Sequence, residues 1–410
     1  MPIQSIGVPW LGVGTHFGQG EDPIAIMPLV AASGVGWIRD DIIWQQCETT
    51  KGVYNLPGET IAWLKEAAAL GLSVLADIPG GNPIYANPYD QSGFVAFVTW
   101  LAGALKAYPV VKVVELINEP NNDYSQKQKA GGDWRVHYVS LANAACAAIK
   151  LVNPALKVVG LGGNPPDNYF MMSTISTQFD GFTDHPYGWG VMQSQGSTSF
   201  LAFDQQWLAE CATHNVTTNR YYTEWGMSTY TLSSGYVVTQ TLQAQWECAR
   251  IIEGHARNVT LDCKYVMKDT YQAAKTDNEG NFGWITNLTP KLAYYMVQRV
   301  TTALAGLVPS GVWPWTYNTP SNFDWDYRAY GFDAPDGSKS VVAFWDNSPG
   351  PFIVKMQWKH PGATSVTLLD PITGATNNYP VNWTYNDPTK GTVEIDNVPV
   401  TNSPQLLIIL

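Results

Sequence analysis

Charge is scarce in this chain. Only 14% of its 410 residues are Asp, Glu, Lys or Arg, and the formal net charge is -11. A nucleic-acid surface needs clustered Lys and Arg, as does an anionic membrane surface. The acidic balance argues against both as partners. The acidity is thin and forms no tail. Cysteine is scarce as well. Cys47, Cys146, Cys211, Cys248 and Cys263 are scattered without a CxxC. That excludes a disulfide framework and a cysteine zinc site. All but Cys47 lie in or beside apolar segments and read as small buried thiols. No apolar run is long enough for a membrane span. The opening "MPIQSIGVPW" lacks the basic-then-apolar order of a secretory signal. No pair of histidines has metal-ligand spacing, so neither a metal nor a cofactor is expected.

Aromatic residues are abundant instead, with 17 Trp and 21 Tyr. Most belong to the core or to interfaces. A cleft for sugars is the functional reading, because pyranose faces pack on flat indoles while their hydroxyls need polar partners. Low charge density and aromatic richness together favour an extracellular or periplasmic setting.

Up to about residue 305, short apolar runs alternate with helical patterns. The strand candidates are "GVGTHF", "GWIRD", "LSVLADI", "VKVVELI", "LKVVGLG", "FDGFTDH", "RYYTE" and "CKYVMKD". Their near-continuous apolar character suits parallel strands buried on both faces. Between them, "GETIAWLKEAAALG" ends at Gly71, a helix stop. In "DWRVHYVSLANAACAAIKLVNP", Asp133 is the expected N-cap, and Tyr138, Leu141, Ala145, Ile149 and Val152 recur every three or four residues. Eight such units predict an α/β fold, a (β/α)8 TIM barrel over residues 1–310. A doubly wound sheet would call for a GxGxxG loop after the first strand, and "GVGTHFGQG" does not supply one. From 311 to 410, short β-type runs between turn signals predict a small C-terminal antiparallel β-sandwich.

Catalytic groups in such barrels project from the C-terminal strand ends. "KVVELINEPNND" puts Glu119 there after the fourth strand, and "NRYYTEWGMST" puts Glu224 at the end of the seventh. A lone Asn-Glu-Pro is most often just a turn. The joint placement, across the barrel mouth with aromatic residues close by, gives two carboxylates facing each other over a cleft. That is the minimal apparatus for cleaving a glycosidic bond. Asn118 is placed to bond a sugar hydroxyl, and Tyr222 or a residue of the sixth strand to bond Glu224. The Glu224 charge is expected to raise the Glu119 pKa, as a general acid requires.

These motifs resemble those of the retaining glycoside hydrolases of clan A. "INEPN" and "TEWG" match the strand-four and strand-seven segments. "GWIRDDIIWQQCETTKGVYNL" looks like the strand-two segment, and "DHPYG" like the strand-six segment. Within the clan the chain is most similar to glycoside hydrolase family 39 and its relatives. The resemblance implies that Glu119 is the acid/base and Glu224 the nucleophile, with a carbohydrate as substrate. It further implies that Asn118 contacts the hydroxyl beside the anomeric carbon and that Arg39 bonds the nucleophile. His185 and Tyr187 would line the cleft from strand six, His16 from strand one, and Trp284 would be a sugar platform after strand eight. Trp225, next to the nucleophile, joins this substrate-binding set. "VMKDTYQ" departs from the pattern, since it lacks a Trp-rich ending.

Each of these residues has a plainer role open to it. Arg39 has Asp40 and Asp41 beside it for a simple ion pair, His16 and His185 can be core histidines, and Trp284 can pack between loops. Asn82, Asp77 and Asp269 are strand-end polar residues and cleft candidates of second rank. Aromatics in "YANPYD", "PYGWG" and "YTLSSGY" are expected to wall several subsites. Two rivals remain: a carbohydrate-binding protein on the same barrel without turnover, and a barrel lyase or aldolase using Lys268.

Overall fold

The computed structural model of the chain describes residues 7–128, 132–187, 199–270, 274, 276–311, 315–317, 327–346, 352–384 and 388–410. Eight parallel strands close into a barrel in sequence order. They are β1 Val8–Gly14, β2 Val35–Asp41, β3 Ser73–Ile78, β4 Val111–Leu116, β5 Lys157–Leu161, β6 Gly181–Asp184, β7 Arg220–Tyr222 and β8 Leu261–Lys264. Closure is the pairing of β1 with both β2 and β8. Leu75, Val113, Val159, Tyr221, Leu261 and Cys263, from five of the strands, form one buried apolar cluster. Burying such side chains stabilises the fold by about 1.5–3 kcal/mol each.

The helices between the strands follow the sequence signals. α1 (Pro23–Ala32) starts with Pro23 in its first turn and Asp22 as N-cap, which places a rigid φ and an acceptor where free N–H groups need them. α2 (Gly58–Ala69) ends before Gly71, which takes φ +72°. α3 is Gln91–Ala104. α4 (Trp134–Val152) is capped by Asp133 and buries Tyr138, Leu141, Ala145 and Ile149, the expected face. α5 is Pro165–Met172, α6 Phe200–Thr213, α7 Gln240–Ala256 and α8 Leu292–Leu304. All five cysteines are free and buried, Cys47 included. No helix among the described residues is long and apolar enough to cross a membrane.

Two strands lie earlier in the chain than the apolar runs predict. β1 stops at Gly14, and the chain turns into a short 3-10 segment at Phe17–Gln19. Asp40, at the end of β2, causes the turn by accepting hydrogen bonds from Thr15 Oγ1 (2.6 Å), Phe17 N (2.8 Å) and Gly18 N (2.7 Å). Burial pushes the Asp40 carboxyl up to about 8 despite these donors. β8 ends at Lys264, so Tyr265 rather than Asp269 leaves the strand.

Two compact units divide the described residues. One, within 1–187, 204–226 and 259–267, holds all eight barrel strands; the other lies within 188–203, 227–258 and 268–410. In the second unit a six-stranded antiparallel sheet runs in the order Val308–Pro309, Tyr327–Asp333, Ser340–Asp346, Gln405–Ile409, Val366–Leu369 and Thr376–Tyr379. A four-stranded sheet runs Trp315–Tyr317, Phe352–Lys359, Thr392–Val400 and Asn382–Trp383. Phe344, Leu368 and Leu407 of the first sheet share one core with Val354, Met356, Trp358 and Val393 of the second. This is the sandwich, with side chains alternating in and out along Phe352–Lys359 as a pleat requires.

The antiparallel sheets thus begin within two residues of 310, while their compact unit reaches back to α7 and α8. Contacts of α7 explain this. Glu253 accepts the Tyr330 hydroxyl at 2.9 Å and pairs with Arg328. The His255 ring stacks on Phe332 with centroids 4.9 Å apart.

Candidate active site

Arg39, near the end of β2, is the hub of the barrel mouth. Its side chain is only 7% exposed and spends its donors on four partners. Nε bonds Glu115 Oε2 at 2.8 Å, Nη1 bonds Glu224 Oε1 at 2.7 Å, and Nη2 bonds Asn118 Oδ1 at 2.8 Å and reaches Asp77 Oδ2 at 3.3 Å. Glu115 takes a further hydrogen bond on Oε1 from Thr223 Oγ1 at 2.8 Å. A planar guanidinium suits this role because its donors point in fixed, separate directions. Burial works against the Arg39 charge, but Glu115, Asp77 and Glu224 together outweigh it and hold the pKa well above its ordinary value. The simple pairing of Arg39 with Asp40 or Asp41 does not form. Asp40 is occupied by the β1 turn, and Asp41 accepts from Gln19 Nε2 at 2.7 Å. Burial pushes Asp77 far above the usual carboxylate range, with Arg39 opposing.

Glu119 stands where the chain turns sharply out of β4. Ile117 and Glu119 take positive φ, 62° and 42°, a region that non-glycine residues enter at a cost of about 1–3 kcal/mol each. The turn is held by Asn122 N bonding Glu119 O and by Ser125 N bonding Pro120 O, both at 2.9 Å. This is the physical content of Asn-Glu-Pro at the end of a buried strand: a strained exit that aims one amide and one carboxylate into the mouth. Oε1 of Glu119 meets His185 Nδ1 at 2.8 Å, and Oε2 accepts from Asn122 Nδ2 at 2.6 Å. The hydrogen bond from His185, above all, lowers the Glu119 pKa; burial opposes it, and Asn122 assists. A raised pKa was expected from Glu224. It does not develop because the donors on Glu119 stabilise its charged form.

Glu224 follows β7. Besides Arg39 on Oε1, it accepts the Tyr187 hydroxyl on Oε2 at 3.0 Å, with His185 Nδ1 at 3.7 Å. Tyr222, the other expected helper, turns away and donates to Asp204 at 2.6 Å. For His185, burial is the largest single influence and lowers the pKa, yet the Glu224 charge and the Glu119 hydrogen bond together raise it. Asp184, buried beside His185 and bonded by Asn168 Nδ2, is pushed up to about 7 by burial. One ligand-type atom from each of Glu119, His185 and Glu224 lies within 4.8 Å of the others. Among the described residues this is the one trio so placed for a metal ion; within it His185 is hydrogen-bonded to Glu119 and lies 3.7 Å from Glu224.

The remaining expected residues divide. His16 is half-buried at the end of β1, its ring centroid 5.6 Å from that of Tyr265. Trp284 is not an open platform. It is fully buried in the second unit, where Nε1 donates to Glu247 Oε2 at 2.6 Å. Trp225 is buried as well and offers no open indole face. Asn82 is a buried loop staple, donating to Glu48 O at 2.8 Å and accepting from Ile84 N. Asp269 also serves structure, accepting from Gly283 N and Lys291 Nζ within the second unit. Tyr85 and Tyr89 of "YANPYD" are buried and tie loops through Glu48 and Asp123. Trp189 of "PYGWG" lies outside the described residues.

Sequence reasoning missed Glu115, Asn122 and Tyr265. A carboxylate one position before the end of β4, on the same pleat face as the buried Val113, was a usable signal for Glu115. Tyr265 was hidden by placing the eighth strand too late.

No protein-family model and no curated protein matches the sequence. Solved structures do. The chain is similar to a family 39 glycoside hydrolase from the gut symbiont Bacteroides cellulosilyticus WH2, with 18% identity, a TM-score of 0.73 and coverage of 100% of this chain and 82% of that one. It is similar to the glycoside hydrolase family 30 subfamily 8 xylanase Xyn30A from Clostridium acetobutylicum, with 11% identity, a TM-score of 0.61 and coverage of 98% and 96%. It is also similar to a glycoside hydrolase of family 5 from Bacteroides vulgatus, with 11% identity, a TM-score of 0.61 and coverage of 98% and 89%. The fold is therefore the TIM barrel with antiparallel sheets found in these glycoside hydrolases. At such identities the likeness is one of fold.

Proposed function

We propose that the chain is a retaining glycoside hydrolase acting on a β-linked oligo- or polysaccharide, with Glu119 as acid/base and Glu224 as nucleophile. The observation that carries this reading is the pair of carboxylates that follow β4 and β7, one oxygen of each lying within 4.8 Å of the other. Retaining enzymes hold their carboxyl groups about 5–5.5 Å apart, whereas inverting ones need about 6.5–9.5 Å to admit a water. In the first step Glu224 attacks the anomeric carbon while Glu119 gives its proton to the leaving oxygen. A glycosyl-enzyme ester forms and the glycosidic bond breaks. In the second step Glu119, now a carboxylate, takes a proton from water, which attacks the anomeric carbon and frees Glu224. Arg39 and Tyr187 fix Glu224 for in-line attack, and Asn118, itself held by Arg39, is placed for the neighbouring hydroxyl. A sugar filling the mouth excludes water and favours the protonated form of Glu119, offsetting the donors that lower its pKa at rest.

The test is hydrolysis of a panel of aryl β-glycosides and β-glycans by wild type, Glu119→Gln and Glu224→Gln. Loss of turnover in both variants, with azide restoring glycosyl-azide formation of inverted configuration in a Glu224→Ala variant, supports the assignment. Full activity in either Gln variant overturns it. Glycan binding without hydrolysis by the wild type would instead make the protein a binder on a hydrolase-like barrel.

A further inference from the structure

The two oxygens of Glu119 are held differently. Oε1 faces His185, whose side chain is 4% exposed and whose Nε2 is buried without a hydrogen-bond partner. A neutral ring so placed keeps its proton on Nδ1, aimed at Oε1, because a proton on Nε2 would be left unpaired. Oε1 is thus occupied as an acceptor. Oε2 is held only by the amide of Asn122, an exposed residue three positions along the same turn. The Asn122 backbone is fixed independently: its N–H bonds Glu119 O, and its carbonyl accepts from Ser125 Oγ and Gln126 N. Asn122 therefore presents its amide to Oε2 without needing that bond to stay in place.

We propose that Oε2 is the oxygen that carries the catalytic proton, and that Asn122 is a positioning residue that holds Oε2 in the place of the leaving-group oxygen until substrate displaces it. This rests on the acid/base role proposed for Glu119. The Asn122 N–H that faces Oε2 donates to the ionised carboxylate, so in this orientation it competes with the proton that the glycosylation step needs. When the sugar's bridging oxygen enters, the Asn122 contact breaks and Oε2–H points at that oxygen instead. The charged and titratable groups around Glu119 are His185, Tyr187 and Asp184 from the β6 end, Arg39 from β2 and Glu224 from β7. None of them touches Oε2 by a hydrogen bond among the described residues. Asn122 is thus the hydrogen-bond partner of Oε2 among the described residues, as His185 is of Oε1.

The experiment compares pH profiles of kcat/KM for wild type, Asn122→Ala and Asn122→Asp. Two aryl glycosides are used, one with a poor leaving group that needs acid assistance and one with a dinitrophenyl group that does not. Losing a donor to a carboxylate raises its pKa, so acid assistance persists to higher pH. The basic limb for the poor leaving group should move up by about half a unit in Asn122→Ala, and further in Asn122→Asp, where a second negative charge is added. The dinitrophenyl profile should keep its basic limb. A limb that stays in place in both variants, or an equal loss on both substrates at every pH, overturns the proposal. Glu119→Gln separates the two levels. If it is inactive on the poor leaving group while the Asn122 limbs do not move, only the role of Asn122 fails. If it keeps full activity, the acid/base assignment fails and the role of Asn122 with it.

Discussion

The two facing carboxylates are held in opposite ways. Glu224, with a side chain 12% exposed, is pinned by a charged donor on one oxygen and a phenol on the other. Glu119, at 31%, is held by an imidazole that can gain or lose a proton and by a surface amide that can swing away. Fixed donors suit a group that must stay ionised and aligned until it attacks. Exchangeable donors suit a group that must change protonation state twice in a cycle. The lesson lies in the supports, since the carboxylates themselves are chemically alike.

The comparison is broken most severely by removing Arg39. Arg39→Met should leave Glu115 and Asp77 buried without their cation, costing about 3–5 kcal/mol of stability. Turnover of any cleaved glycoside should also fall by at least about 100-fold as Glu224 and Asn118 lose their common anchor. A denaturation midpoint and a rate measured on the refolded variant report the two losses separately. An Arg39→Met protein with unchanged melting would show that the hub is not what holds these acids together.

A milder cut falls on the Glu224 side alone. Tyr187→Phe removes one donor to a charged group, worth about 1.5–3 kcal/mol. We expect kcat to drop by roughly ten- to a hundredfold at that cost, with KM little changed. If kcat holds, Arg39 pins Glu224 unaided and the contrast with Glu119 narrows.

The smallest effect sharpens the Glu119 side through pH. The lowered pKa of Glu119 gives stability that is present above its unfolded value, about 4.3, and is lost as pH falls through the folded value. The raised pKa of His185 gives stability that is complete below its unfolded value, about 6.5, and is lost as pH rises through the folded value. The advantage of wild type over His185→Gln in thermal melting should therefore peak between about pH 4.3 and 6.5 and shrink on either side. A difference that is flat across pH would mean that His185 supports Glu119 by packing rather than by charge.

Much of the fold was legible along the chain. Eight apolar runs separated by capped helical patterns can bury both faces of parallel strands in few ways, and closure into a barrel is the one found. The alternating runs after residue 310 likewise read correctly as antiparallel sheets. Strand ends were harder. Local apolarity cannot show that Asp40 pulls the chain out of β1 at Thr15, or that β8 starts at Leu261 rather than Cys263. That misplacement hid Tyr265 and promoted Asp269. Tryptophans failed for a related reason: an indole has the same composition whether its face is open or, like Trp284, sealed against Glu247.

By itself, the sequence determined the barrel, the sandwich and the two strand-end glutamates, because periodicity and strand-end position are properties of contiguous residues. Tertiary structure alone decided which partners each glutamate meets. Arg39 lies 185 residues from Glu224, and His185 lies 66 from Glu119. Their hydrogen bonds depend on barrel closure, which no local pattern encodes. The same closure set the direction of the Glu119 shift, since the His185 donor brought across the mouth from the β6 end outweighs the burial of the carboxylate.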